Sequence, residues 1–155
     1  METQIIIGLI LTVLPVFELR VGLPIILEHL TRNDLSIWPY FLIVLILNVL
    51  VIFLIFLFLD FFHELFLKSK SYKKVFERVL RKLQRKIAKV EEAKYLALML
   101  LVAVPLPGTG AWTGTLIAWI LGLNRLKSFL AIASGVIIAG FLVLLASLGF
   151  FAGVL

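Results

Sequence analysis

The chain has 155 residues, of which 63% are hydrophobic and only 15% charged, with a mean hydropathy of +1.16. A soluble domain of this size cannot cover so much apolar surface with polar groups, so the composition places the chain in a membrane. The formal charge of +6 gathers in one segment between two hydrophobic blocks, which argues for membrane topology and against nucleic acid as a partner.

There are no cysteines, which excludes disulfides, thiolate chemistry and Cys-ligated metals. His29 and His63 lie far apart near expected segment ends and read as lone interfacial residues, not ligands. No nucleophile–base–orienter set or metal cluster can be assembled, so neither an enzyme nor a cofactor is expected.

The start, METQIIIGLI, has Glu2 and no Lys or Arg. It lacks the basic region and small-residue cleavage site of a signal peptide and is expected to belong to the working protein. The apolar run Ile5 to Leu14 then reaches about 15 Å as a helix, half the roughly 30 Å hydrocarbon core. Pro15 ends it, because proline lacks an N–H and crowds the preceding turn. ELRVGLP, Glu18 to Pro24, follows, and sets a carboxylate and a guanidinium inside apolar sequence. A second short limb is expected from Pro24 to Leu30. Ionisable groups at such depth are costly and default to a pathway role, with a purely structural ion pair as the alternative. Two residues apart, Glu18 and Arg20 need an irregular backbone to meet side by side.

Ile37 to Leu59 is apolar for 23 residues apart from Asn48, long enough to span with some tilt. Ser36 is placed to cap it, Pro39 sits in its first turn, and Trp38 and Tyr40 suit one interface. Lys68 to Lys94 then holds eleven of the fifteen basic residues against Glu77, Glu91 and Glu92, a local balance of +8. Tyr72, Val75, Phe76, Val79, Leu80, Leu83, Ile87 and Val90 recur at helical spacing. Lys73, Lys74, Arg78, Arg81, Lys82, Arg85 and Lys89 lie largely outside that stripe. This reads as an amphipathic helix on anionic lipid headgroups, where each cation adds about 1 kcal/mol of attraction. Its roles are fixing orientation and linking the halves, or gathering an anionic lipid substrate.

Tyr95 to Val104 is another ten-residue limb, ended by Pro105. PLPGTGAWTG follows, and a second limb is expected from Thr113 to Leu123. Gly108 and Gly110 permit close backbone approach, Thr109 and Thr113 offer hydroxyls, and the amides at the limb's start favour an anion. Trp112 suits stacking on, or gating, a bulky apolar group. A structural turn alone is the alternative, since glycine clusters mark turns anyway. Phe129 to Phe151, opened by Ser128, is the second span. Its stripe of Ala131, Gly135 and Ala139 lets another backbone approach, within the chain or across a homodimer seam.

A shift of 92 positions pairs Pro15 with Pro107, Gly22 with Gly114, Ile25 with Ile117 and Ser36 with Ser128. The chain therefore reads as one all-α integral membrane domain, residues 1–155. It comprises a first repeat (3–62), a basic amphipathic linker helix (63–94) and a second repeat (95–154). Each repeat is a re-entrant helical hairpin plus a transmembrane helix, with one kinked span per broken run as the alternative. Pro15, Gly22, Pro24, Pro105, Pro107 and Gly114 are assigned to hairpin structure. With two hairpins and two spans, Arg125 and Lys127 join the basic linker on the cytoplasmic side, and the termini lie outside. The repeats are then inverted, as in secondary transporters with a site at the midplane.

PVFELRVGLP together with PLPGTGAWTGTLIAWILGL resembles the small multidrug export family, whose members pair an E-L-R-x-x-x-P stretch with P-x-PGTGAWTG. The resemblance covers nearly the whole chain. That family is similar in layout to the DedA superfamily, which has two re-entrant hairpins and includes proton-linked polyprenyl-phosphate flippases and lipid scramblases. By that resemblance Glu18 matches an acidic hairpin residue and Arg20 a basic one, while PGTG stands where DedA proteins often carry a second acid, PGE. The expectation is an inner-membrane transporter of an amphipathic substrate. Arg20, Gly108, Thr109, Gly110, Trp112 and Thr113 line its site, and Glu18 exchanges a proton or restrains Arg20. A phosphorylated isoprenoid or lipid fits best. Export of a hydrophobic cationic drug and a non-transporting scaffold are the alternatives.

Overall fold

The structure, a computed structural model, describes residues 2–66, 93–106 and 108–154. These form six helices and no strand: α1 (Glu2–Val13), α2 (Glu18–Arg32), α3 (Trp38–Phe66), α4 (Ala93–Ala103), α5 (Ala111–Ile120) and α6 (Arg125–Val154). The order is short, short, long, twice over. The basic stretch from Lys73 to Lys89, and Pro107, lie outside the described residues.

Two helices contain apolar stretches long enough to cross a membrane, Trp38–His63 and Arg125–Phe151. Bulky side chains such as Ile46, Phe53, Leu57, Leu130 and Leu145 stand exposed along them. With the composition, this makes the chain a membrane protein. The caps differ from expectation. Ile37, not Ser36, sits at the start of α3, its carbonyl accepting the Phe41 N–H at 3.0 Å. α6 begins four residues before Phe129, because the Asn124 side chain accepts the Lys127 N–H at 3.1 Å. Ser128 is consequently inside the helix, buried, its hydroxyl without a partner.

Pro15 and Pro105 follow the ends of α1 and α4, as proline's missing donor requires. Pro24 does not start a limb. It lies inside α2, which is already helical at Glu18. Eight α2 residues are buried, from Glu18 and Leu19 through Gly22, Leu23, Ile26, Leu27, His29 and Leu30, at three- and four-residue intervals. Pro24 falls between these positions, so α2 keeps its core stripe although the proline removes the amide that would bond the Arg20 carbonyl. α5 begins at Ala111 and stops at a Schellman turn. Gly122 takes φ +62°, its N–H bonds Trp119 O, and the Leu123 N–H bonds Ala118 O.

α1 and α2 form a hairpin whose open end is tied by the Gln4 side chain to His29 Nδ1 at 2.7 Å. His29, expected near a segment end, does lie at that open end and is buried against Gln4. α4 and α5 form a second hairpin, tied by the Asn124 N–H donating to the Tyr95 hydroxyl at 3.2 Å. The first opens beside the start of α3. The second opens beside its end, where Trp119 Nε1 donates to Asp60 at 3.0 Å. α3 and α6 run antiparallel, joined at one end by the Asp60–Arg125 ion pair and further along by Phe41 against Phe141. The two hairpins thus point their tips toward each other from opposite ends of a helix pair.

Glycines set the closest approaches. Gly22 faces Thr12 and the Gly8 carbonyl, and Gly135 faces the Met99 carbonyl and Val102. Gly114 sits against Val102, and Gly140 against Leu45. The Gly135 and Ala139 part of the small-residue stripe is consumed within the chain, with Ala139 1% exposed. Val substituted at Gly22 is expected to cost about 1–3 kcal/mol through overpacking, lowering the melting temperature in detergent. A methyl added at Gly149 would meet nothing within 4 Å, so Ala there is expected to be neutral or stabilising. Equal melting of the Gly22→Val protein and wild type contradicts the α1–α2 crossing.

Candidate functional site

The turn after α1 is tight. Val16 takes φ +78° and Glu18 φ +48°, left-handed conformations that cost about 1–3 kcal/mol each outside glycine. The strain lets α2 start at once with Glu18 as its first residue. The corresponding turn of the second hairpin uses Gly108 at φ +79° and extended Gly110 ahead of α5. These turns meet.

The Glu18 carboxylate bridges them. Its Oε2 accepts the Ala111 N–H at 3.1 Å and its Oε1 the Trp112 N–H at 3.0 Å, so it caps α5 from the other hairpin. Oε2 also takes Arg20 Nη1 at 2.7 Å. A negative charge at a helix N-terminus meets the positive end of the peptide dipoles and satisfies donors that have no helical partner. Arg20 does the converse. Its Nη2 reaches the carbonyls of Val102 and Val104 at 3.0 and 3.2 Å, the acceptor-rich end of α4, and Thr109 Oγ1 at 3.3 Å. The side chains are only 4% exposed for Glu18 and 9% for Arg20. Each charge therefore faces the other and a complementary helix end.

The remaining motif residues hold this junction. Trp112 Nε1 donates to Val13 O at 3.0 Å, capping the end of α1. Thr113 Oγ1 donates to Gly108 O at 2.6 Å and closes the turn on itself. Thr109 Oγ1 lies 2.9 Å from both Val104 O and Leu106 O. Gly110 has a steric duty, since a methyl there would overlap the Glu18 carboxylate. The structure thus brings together Glu18, Arg20, Thr109, Gly110, Trp112 and Thr113, with Gly108 shaping the turn. Gly22 and Gly114 serve helix crossings instead, and Pro24 lies within α2.

Two points correct the sequence expectation. The amides presented to an anion are those of Ala111 and Trp112, because the second limb starts at Ala111 and not at Thr113. They already hold one, the chain's own carboxylate. Sequence reasoning missed Ala111 and the Val102 and Val104 carbonyls because backbone groups carry no residue signature. It also missed the pairing of Asp60 with Arg125, visible only as two lone opposite charges at the ends of apolar runs.

Val102 packs on Gly135, ten residues into the 27-residue apolar stretch that starts at Arg125, which sets the junction about 15 Å along that stretch.

A family model described as "Putative small multi-drug export protein" matches residues 18–142, from the first hairpin's carboxylate through most of α6. No curated protein matches the chain, and no solved structure does.

Glu18→Gln and Arg20→Gln each leave the other charge buried without its counter-ion, a loss of about 3–5 kcal/mol. The double substitution is expected to cost less than the sum of the two, by on the order of 2 kcal/mol. Denaturant unfolding of the four proteins gives this coupling, and simple additivity contradicts the pair. Gly110→Ala is expected to destabilise wild type strongly and the Glu18→Ala protein much less.

Proposed function

The chain belongs to the small multi-drug export protein family, and we propose that it is an inner-membrane transporter that moves an amphipathic anion past the Glu18–Arg20 junction. The observation that carries this reading is the donor set around Glu18. Two backbone N–H groups and a guanidinium converge on one carboxylate, and Arg20 Nε is buried with no partner. Those donors fit a phosphate as well as a carboxylate, through charge-assisted hydrogen bonds.

Glu18 is the resident anion, so it excludes another while ionised. Protonation removes its charge and weakens its hold on Arg20 and on the start of α5. Arg20 and the Ala111 and Trp112 amides then take the oxygens of a headgroup. Proton and anion bind together and leave together. A phosphorylated isoprenoid or lipid suits the surroundings, because Leu14, Val16, Phe17, Val104 and Leu106 stand exposed around the junction and offer its tail an apolar path. The hairpins are re-entrant, entering from opposite membrane faces, with the basic linker and Arg125 cytoplasmic and residues 33–37 outside. The charge bias of the loops supports this orientation, and irregular backbone at such depth needs protein or a wet cavity around it.

The family description favours a second reading, export of a hydrophobic cation. There Glu18 is the counter-ion, Arg20 is displaced from it, and half-buried Trp112 supplies a ring face. Liposome flux separates the two. Arg20→Lys keeps the charge but loses the planar fork. It is expected to slow lipid-phosphate movement about tenfold, roughly one charge-assisted hydrogen bond. Unchanged lipid-phosphate flux in Arg20→Lys, with lipophilic-cation flux abolished in Glu18→Gln, reverses the assignment.

Topology has its own check. Cysteine at Asp34 is expected to label from outside and cysteine at Leu126 only from the cytoplasm. External labelling at position 126 rules out the re-entrant arrangement.

A further inference from the structure

Three hollows meet where α3 ends and α6 begins. A cup of about 310 Å³ has Phe56, Asp60, His63, Trp119, Gly122 and Arg125 in its wall. Phe56, Asp60 and Arg125 also border a groove of about 340 Å³ between the two helices. Past Phe53 and Phe129 this groove continues into another of about 470 Å³, walled by apolar side chains as far as Leu45 and Ile137. The Asp60–Arg125 pair is therefore a sill between a polar cup and an apolar groove. Both apolar stretches, Trp38–His63 and Arg125–Phe151, end within one turn of the pair, which sets the sill at headgroup level. From Arg125 to Ile137 the groove follows α6 for about 18 Å, close to one leaflet's half of a roughly 30 Å hydrocarbon core.

The geometry points to a binding site for a zwitterionic phospholipid with a primary amine, its phosphate on Arg125, its ammonium on Asp60 and one acyl chain in the α3–α6 groove. The pair is bonded to itself but not exhausted. Asp60 takes one N–H from each of Nη1 and Nη2, and a guanidinium carries five. The others have no hydrogen-bond partner among the described residues, and the Arg125 side chain is 61% exposed. The Phe56 ring lies 5.8 Å from the guanidinium carbon and fills one side of it, so the open N–H edge is left for a phosphate. The Asp60 carboxylate accepts three hydrogen bonds, two from Arg125 and one from Trp119 Nε1, and has about four lone-pair sites. Charge complementarity selects the headgroup. The pair is neutral as a whole, so a purely anionic lipid gains Arg125 but meets the Asp60 charge. A zwitterion finds an opposite charge for each of its own. A primary ammonium donates to the remaining carboxylate lone pair, and a trimethylammonium has no N–H to donate. The site is separate from the Glu18–Arg20 junction and does not depend on what that junction carries.

Tail position and headgroup preference are the readouts. Purified full-length protein is reconstituted in phosphatidylcholine vesicles with a trace of phosphatidylethanolamine carrying a diazirine in mid-chain. Cross-linked residues are then mapped by peptide mass spectrometry. Cross-links are expected on residues 45–53 and 129–137. The phosphatidylcholine and phosphatidylglycerol analogues are expected to give about tenfold fewer, roughly one charge-assisted hydrogen bond. Asp60→Asn keeps the shape but removes the carboxylate, and is expected to erase or reverse the preference for ethanolamine over glycerol. That preference is a ratio within one protein, so a general loss of stability does not imitate the effect. Ile137→Trp fills the groove from an exposed position away from the charges. It is expected to remove the cross-links, and a melting temperature close to wild type verifies that it folds. Equal labelling by the three lipids, or an ethanolamine preference that survives Asp60→Asn, overturns the inference. So does a groove that no lipid labels, as when a second copy of the chain covers it.

Discussion

One carboxylate joins the two halves of this protein. Glu18 stands at the first residue of α2 yet satisfies the amides at the start of α5, 93 and 94 positions away. Without it, the N-terminus of a ten-residue helix would be left with buried donors unmet, since Ala111 is 0% exposed. Arg20 performs the opposite service for the carbonyls at the end of α4, and Trp112 returns the favour to α1. Three broken helix ends are thus closed by side chains from the other hairpin.

This reciprocity explains why the local backbone is strained. Val16 and Glu18 adopt left-handed angles that neither residue prefers, and those angles bring the carboxylate to the tip. Gly110 must lack a side chain for the same reason. A buried ion pair of this kind is a weak source of net stability, since desolvation consumes much of the attraction. The pair closes two helix ends at once, Glu18 that of α5 and Arg20 that of α4, and so ties the two hairpins in one register.

Much of this was legible in the residues. Proline positions located the ends of α1 and α4, uninterrupted apolar length located α3 and α6, and the two polar interruptions located the junction. What failed had identifiable causes. Pro24 looked like a helix start, but a proline off the buried face can ride inside a helix once packing dominates propensity. Ser128 looked like a cap, but Asn124 four residues earlier competes for that role and wins. PGTGAWTG was read as an empty anion cradle because its internal occupant is nearly a hundred residues distant in sequence. Long-range pairing of a side chain with backbone amides leaves no local trace.

The claim that Glu18 caps α5 can be tested at the amides themselves. Hydrogen exchange at Ala111 and Trp112, followed by NMR on labelled protein in detergent micelles, reports whether those N–H groups are bonded. Slow exchange in wild type, accelerated at both positions in Glu18→Ala with the interiors of α3 and α6 unchanged, is the predicted result. Exchange at Ala111 and Trp112 that is indifferent to the loss of Glu18 contradicts the account.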